Sequence, residues 1–156
     1  MSFDIKRLTE DSGLPASIAK LQFDFWGPLT GHSSADAYEQ FLRKAARATR
    51  LPAVLVAMDG ETFLGSVNLL ASEMTTRPTL SPWMAQLFVV DSERGRGVGN
   101  ALISASIDHA ARLGFPRTYL YTSGTLPAYY ASLGWRPIEQ VEYLGKMRTI
   151  MTFELP

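Results

Sequence analysis

The residues best suited to chemistry form one run, Arg94-Gly95-Arg96-Gly97-Val98-Gly99. Glycines at alternate positions leave backbone N–H groups bare, and arginines stand among them. An apolar run, Leu87-Phe88-Val89-Val90, precedes this loop, and a helix-like segment opens directly after it. Bare amides at a helix N-terminus attract negative charge, so the loop reads as a pyrophosphate cradle for a nucleotide-bearing cofactor. A P-loop requires Gly-x-x-x-x-Gly followed by Lys and Ser or Thr, and no Lys-Ser or Lys-Thr follows here. The dinucleotide fingerprint requires Gly-x-Gly-x-x-Gly near the first strand of a βαβ unit. Here the spacing is Gly-x-Gly-x-Gly with Asn100 next, so neither pattern fits. The structural alternative is that the glycines only permit a tight turn and close helix packing. Arg94 and Arg96 favour the phosphate reading.

The composition limits what such a loop could belong to. Hydrophobic residues make up 46% and charged residues 19% of the 156, the profile of a single domain (1–156) with a sizeable core. Lys+Arg and Asp+Glu are both 15, without the positive excess of a nucleic-acid binder or a polybasic membrane binder, so neither partner is expected. There is no cysteine, which excludes disulfides, thiolate metal sites and cysteine nucleophiles, and no metal is expected. A cysteine-free chain fits a reducing cytoplasm. Residues Met1 to Arg7 hold no apolar signal core, and no apolar run reaches membrane-spanning length.

The elements that must position the loop can be read from periodicity. Alternation of Phe3, Ile5 and Leu8 predicts a strand over 3–8. Leu14, Ile18, Leu21 and Phe25 recur at helical spacing after a Ser12 N-cap, and Gly27-Pro28 stops that helix. Ser33-Ser34-Ala35-Asp36 caps a second helix, with Tyr38, Phe41, Leu42 and Ala45 on one face. Strands follow at 51–58 and 63–70 around an Asp59-Gly60 turn, then a loop at 71–82. The apolar stretch 83–90 predicts a central strand. The helix after the glycine loop runs to Arg112, a strand follows at 118–121, and a short helix at 126–133 ends at Gly134. Residues 135–143 and 146–155 form a last strand pair, with Met147, Met151, Phe153 and Leu155 sharing one face. The order is β-α-α-β-β-β-α-β-α-β-β, a mixed α/β domain. The last pair suits a sheet edge that could pair across a dimer, leaving monomer and homodimer both open.

Arg94-x-x-Gly97-x-Gly99 resembles the Gln/Arg-x-x-Gly-x-Gly/Ala signature of the GNAT superfamily of N-acetyltransferases. Ala128-Tyr129-Tyr130-Ala131-Ser132-Leu133-Gly134-Trp135 is similar to that family's Phe-Tyr-x-x-Leu-Gly-Phe segment, at the expected distance downstream. The two motifs span residues 86–136, and the element order matches over nearly the whole chain.

The resemblance implies the GNAT fold and acetyl-CoA as co-substrate, bound in a notch where two central parallel strands splay apart. Phe88, Val89 and Val90 would offer backbone groups to the pantetheine. The amides of Gly95, Arg96, Gly97, Val98, Gly99 and Asn100 would take the pyrophosphate, with Arg94 or Arg96 adding charge. Strand 118–122 would form the other wall. Ser123 takes the position of an asparagine often found in the family. An N–H near Val89 would receive the oxyanion. Tyr130 aligns with the family's general-acid tyrosine, a phenol that is protonated at neutral pH. Its alternative is a core aromatic, a role for which Tyr129 is the better candidate.

The general base is open. Many members carry a carboxylate on the central strand, but Trp83-Met84-Ala85-Gln86-Leu87 has none. Glu73 on the preceding loop is the nearest candidate, set against a solvated loop charge. His32 and a water chain are alternatives, and His109 reads as a surface residue. The first two helices and the loop before the central strand would build the acceptor pocket. Trp26, Trp83 and Arg77 are its candidate contacts, whereas Phe25 fits the core stripe. Aromatic walls with one carboxylate suit a cationic amine, and an arginine such as Arg77 suits an acceptor bearing a carboxylate. The expected reaction is direct acetyl transfer to a primary amine of a small molecule or peptide. A non-turnover acyl-CoA sensor and an enzyme for longer acyl groups are the rivals.

Overall fold

A computed structural model describes residues 2–10 and 13–156, so the expected Ser12 cap lies outside the described residues. The elements are β1 (Asp4–Arg7), α1 (Leu14–Trp26), α2 (Ala35–Arg47), β2 (Ala53–Asp59), β3 (Thr62–Leu70), β4 (Trp83–Val89), α3 (Val98–Arg112), β5 (Arg117–Thr122), α4 (Leu126–Ser132), β6 (Arg136–Tyr143) and β7 (Lys146–Glu154). Single 3-10 turns at Gly27–Thr30 and Asp91–Glu93 extend the predicted order. The strands form one sheet in the order β1-β2-β3-β4-β5-β7-β6. β6 closes one edge and is largely exposed.

Alternation on β2 explains the layers. Val54, Val56 and Met58 pack with Ile18, Tyr38 and Leu42 of α1 and α2. Leu55 and Ala57 pack on the other face with Leu102, Ile103 and Tyr130 of α3 and α4. A strand covered on both faces must be apolar at every position, and Ala53 to Met58 are all buried. α2 starts where Ser34 Oγ accepts the Ala37 N–H at 3.0 Å, satisfying one orphan donor of the first turn.

The buried stripe of α1 is rotated from the expected one. Pro15, Ile18, Ala19 and Gln22 face inward, while Leu21 is 44% and Phe25 62% exposed. Gln22 can be buried because it donates to Ser66 Oγ and accepts from the Tyr38 hydroxyl, both at 2.5 Å. Phe25 is therefore not core. It packs edge-on against Trp26 and Phe88.

Two departures from regular pairing create the site. β4 and β5 are parallel but register only at Trp83↔Tyr119, and beyond that pair they part. Between Asn68↔Ala85 and Ser66↔Phe88, β4 advances three residues while β3 advances two, which is a β-bulge. Gln86 lies in the bulge with φ +48, a conformation unusual for a residue other than glycine.

Candidate active site

The glycine run forms the expected helix entry. Gly97 is the N-cap of α3 at φ +81 and has no side-chain cap, and Gly95 lies at φ +86. The first bond of the helix runs from Ala101 N to Gly97 O at 3.0 Å. The N–H groups of Val98, Gly99 and Asn100 in the first turn thus precede any intrahelical partner. A cavity of about 400 Å³ covers them, lined by Leu87, Val89, Arg94, Gly95, Gly97 and Tyr129 among others. These bare donors and an open concavity fit a pyrophosphate.

The two arginines divide. Arg94 is exposed, lines the cavity and lies 3.2 Å from Asp91 Oδ1. Arg96 turns away to bond Glu93 and approach Asp59 at 3.5 Å, so it braces the loop rather than facing the cradle. The β4 backbone is equally selective. Val90 donates to Leu64 O at 2.9 Å and its carbonyl accepts from Glu93 N at 2.8 Å, so it has no group left for a ligand. Strand alternation directs Phe88 to β3 as well, and sends the backbone groups of Leu87 and Val89 toward the gap beside β5. The Val89 backbone therefore faces the gap, and that of Phe88 and the Val90 N–H face β3. The Phe88 ring instead meets Trp26 at 5.6 Å.

A second cavity, of about 270 Å³, fills the gap between the parted strands. Met84 to Leu87 form one wall and Leu120 to Ser123 the other, with Trp26, Glu73, Tyr130 and Arg148 completing it. Tyr130 is 8% exposed and Tyr129 38%, the reverse of the expected division between core and surface. On this short helix Tyr130 faces Trp135 at 6.1 Å, and Tyr129 bonds the Asn100 side chain at the cradle. Burial pushes the Tyr130 phenol up to about 12, so it is neutral and able to donate at ordinary pH.

A third cavity, of about 620 Å³, opens beyond the second, and both are lined by Leu29, Glu73, Gln86 and Tyr121. Thr30, His32, Phe41, Asn68 and Tyr143 line its other sides. Glu73 is no solvated loop charge. Burial raises its carboxyl above the usual range, against a hydrogen bond donated by Gln86 Nε2 at 3.2 Å. His32 packs beside both Tyr38 and Phe41, at 5.2 and 5.0 Å, and burial lowers the pKa of its ring, favouring the neutral form. His109 is half-buried beside Arg7, at 3.4 Å, away from these cavities.

Two expected acceptor contacts lie elsewhere. Trp83 is fully buried with Met74, Tyr119 and Ile150, and its indole N–H donates to Leu80 O at 2.7 Å. Arg77 is held by both carboxylate oxygens of Glu139 on β6 and lines none of the three cavities. Its role is to tie the 71–82 loop to the β6–β7 hairpin, together with Thr75 N donating to the Tyr143 hydroxyl at 3.3 Å. Trp26 does line the middle cavity. Sequence reasoning missed Gln86 and Asn68. Their signal was a lone amide within an apolar strand.

A mixed sheet with a split parallel pair, and a helix entered through glycines after one of the two strands, is the fold of an acyltransferase. The model of the GNAT acetyltransferase domain matches residues 51–137, more than half of the chain, and the protein belongs to that family. A search of curated proteins returned no match. Solved structures share the fold at low identity. An aminoglycoside 6'-N-acetyltransferase complexed with coenzyme A is 14% identical with a TM-score of 0.73, covering 97% of this chain and 96% of its own. YncA, a putative acetyltransferase from Salmonella typhimurium with its cofactor acetyl-CoA, is 18% identical with a TM-score of 0.72, covering 100% and 95%. The NatC complex bound to Gag peptide and CoA gives 19% identity and a TM-score of 0.74, covering 100% of both chains.

Proposed function

We propose that this chain moves an acetyl group directly from acetyl-CoA to a cationic amine entering the outer cavity. One observation carries the reading. Tyr130 and Glu73 line the same middle cavity, which meets the cradle cavity at Leu87 and the outer cavity at Glu73 and Gln86. A donor bound along β4 and an amine entering from the far side would thus converge between an acid and a base.

The residues supply the three things aminolysis of a thioester needs. Glu73 takes the proton from the ammonium and frees the nitrogen lone pair. The Val89 N–H faces the gap and stabilises the oxyanion as nitrogen bonds the carbonyl carbon. Tyr130 donates its proton to the sulfur as the carbon–sulfur bond breaks, and the second proton leaving the nitrogen passes to the resulting phenolate, which leaves a neutral amide and a free thiol. Glu73 thereby meets the need left by a central strand without a carboxylate, which weighs against a non-turnover sensor. The cradle residues would hold the nucleotide end of the co-substrate, whose thioester supplies the activated acyl group.

The outer cavity favours an amine over an acceptor read by its carboxylate. Its lining includes Glu73 with Phe41, Tyr121 and Tyr143, and no lysine or arginine. Arg148 lies over the Tyr121 ring at 5.5 Å and lines the middle cavity instead. An aminoglycoside acetyltransferase and a peptide-bound complex among the structural relatives are consistent with either a small-molecule or a peptide amine. A cysteine-free composition supports a reducing compartment such as the cytoplasm. A free-thiol release assay across a panel of amines tests the proposal. Turnover with cationic amines, abolished in Tyr130→Phe and Glu73→Gln, is the expected result. Acetyl-CoA binding without thiol release for any amine would return the sensor reading.

A further inference from the structure

Gln86 and Asn68 carry two costs that no structural role explains. Gln86 holds φ +48 without being glycine. Asn68 is 1% exposed, yet its Oδ1 is buried without a hydrogen-bond partner among the described residues. The two side chains are bonded to each other at 3.0 Å, inside a polar chain that runs from the α1–α2 layer to Glu73.

With Glu73 ionised, and so able only to accept, donors and acceptors set the direction of that chain. Gln22 Nε2 donates to Ser66 Oγ, so Gln22 Oε1 is left to accept the Tyr38 hydroxyl proton. Tyr38 Oη then accepts from Asn68 Nδ2 at 3.2 Å. The same Nδ2 donates to Gln86 Oε1, which turns Gln86 Nε2 toward Glu73 Oε2. Reversing one amide alone would set N–H against N–H or oxygen against oxygen, and reversing the whole chain would need a protonated Glu73 to donate at its end. The unpaired Asn68 Oδ1 is what this single direction leaves over.

Resting on Glu73 as the base, we infer that Gln86 and Asn68 are positioning residues whose directional hydrogen-bond relay, anchored by Tyr38, delivers an N–H to Glu73 and holds it as an ionised carboxylate at the mouth of the acceptor cavity. Other groups also face this position. Tyr38 of α2, Tyr121 of β5 and Tyr143 of β6 are phenols, His32 comes from the loop before α2, and Arg148 of β7 and Tyr130 of α4 lie across the middle cavity. None of these makes a hydrogen bond to Glu73, whose partner among the described residues is the Gln86 amide. Burial alone disfavours the carboxylate, and the relay opposes it.

The test needs no acceptor substrate. Carbon-13 NMR of glutamate-labelled protein follows the Glu73 carboxyl through a pH titration, with the resonance assigned by its loss in Glu73→Gln. Gln86→Met, which keeps the length and removes the donor, should move the Glu73 midpoint to higher pH. Tyr38→Phe, which keeps the ring and removes only the hydroxyl that sets the direction, should move it the same way by less. Far-UV circular dichroism confirms the fold of each variant. With a turnover assay, Gln86→Met should lower the rate roughly tenfold on the acidic limb and little on the plateau. An unmoved Glu73 midpoint in both folded variants overturns the relay. Full activity of Glu73→Gln, whatever the midpoints, overturns the base assignment on which the relay rests.

Discussion

The proposed donor and acceptor halves of the site are built from different materials. The cradle is backbone: uncapped amides at the start of α3, glycines at φ +86 and +81, and the free edge of β4. The acceptor cavity is side chain: Glu73, Asn68, Gln86, His32, Phe41, Tyr121 and Tyr143, drawn from seven different strands, helices and loops. A backbone site tolerates any side chain that leaves the amides bare, so it suits a constant ligand. A side-chain site changes with each substitution, so it suits a ligand that differs between relatives.

This contrast predicts where substitutions act. The largest effects fall where the halves meet. Tyr130→Phe and Glu73→Gln should each lower kcat roughly 10²–10⁴-fold with little change in the Kd for acetyl-CoA. The pH profile carries the same signature. Activity should rise as Glu73 loses its proton, with an acidic limb above the ordinary carboxylate range. Tyr130, raised to about 12, should stay protonated and impose no basic limb near neutrality. A limb in the ordinary carboxylate range that disappears in Glu73→Gln would contradict the burial of this group.

Changes confined to the donor half should act on KM for acetyl-CoA. Gly97→Ala places a side chain at φ +81 and should raise that KM roughly tenfold, with kcat nearly kept. The arginines separate function from bracing. Arg94→Ala should raise KM roughly two- to fivefold, an effect that weakens with added salt. Arg96→Ala should leave KM alone and lower Tm, because its partners are Glu93 and Asp59. The smallest effect is expected of Arg77→Ala. It should not change the preference between amines with and without a carboxylate, since Glu139 already holds that guanidinium. A lost preference for carboxylate-bearing acceptors would place Arg77 in the site after all.

The same contrast decides what could be read in advance. Loop, bulged strand and helix are contiguous from residue 83 to 112, so spacing alone exposed the cradle. The element order was legible because β2, β3 and β4 are apolar runs and Gly134 closes α4 at φ +102. The acceptor half depends on contacts at long range. Glu73 is half-buried on a loop whose Thr75 and Arg77 are fastened to Tyr143 and Glu139, more than sixty residues on. No local pattern announces that fastening, so the carboxylate looked solvated. The rotated stripe of α1 has the same origin. Gln22 is worth burying only because Tyr38 and Ser66 arrive beside it. Position along the chain points equally to Trp26, Trp83 and Arg77, and of these Trp26 alone lines one of the three cavities.

The central claim is that the thioester lies between Tyr130 and Glu73, at the junction of the two halves. A crystal structure with bound coenzyme A tests it most directly. The account predicts the pyrophosphate on the amides of residues 95–100, the pantetheine along the Val89 edge, and the sulfur within hydrogen-bond reach of Tyr130 Oη. A sulfur outside the cavity between β4 and β5, or a nucleotide that avoids the start of α3, would contradict it.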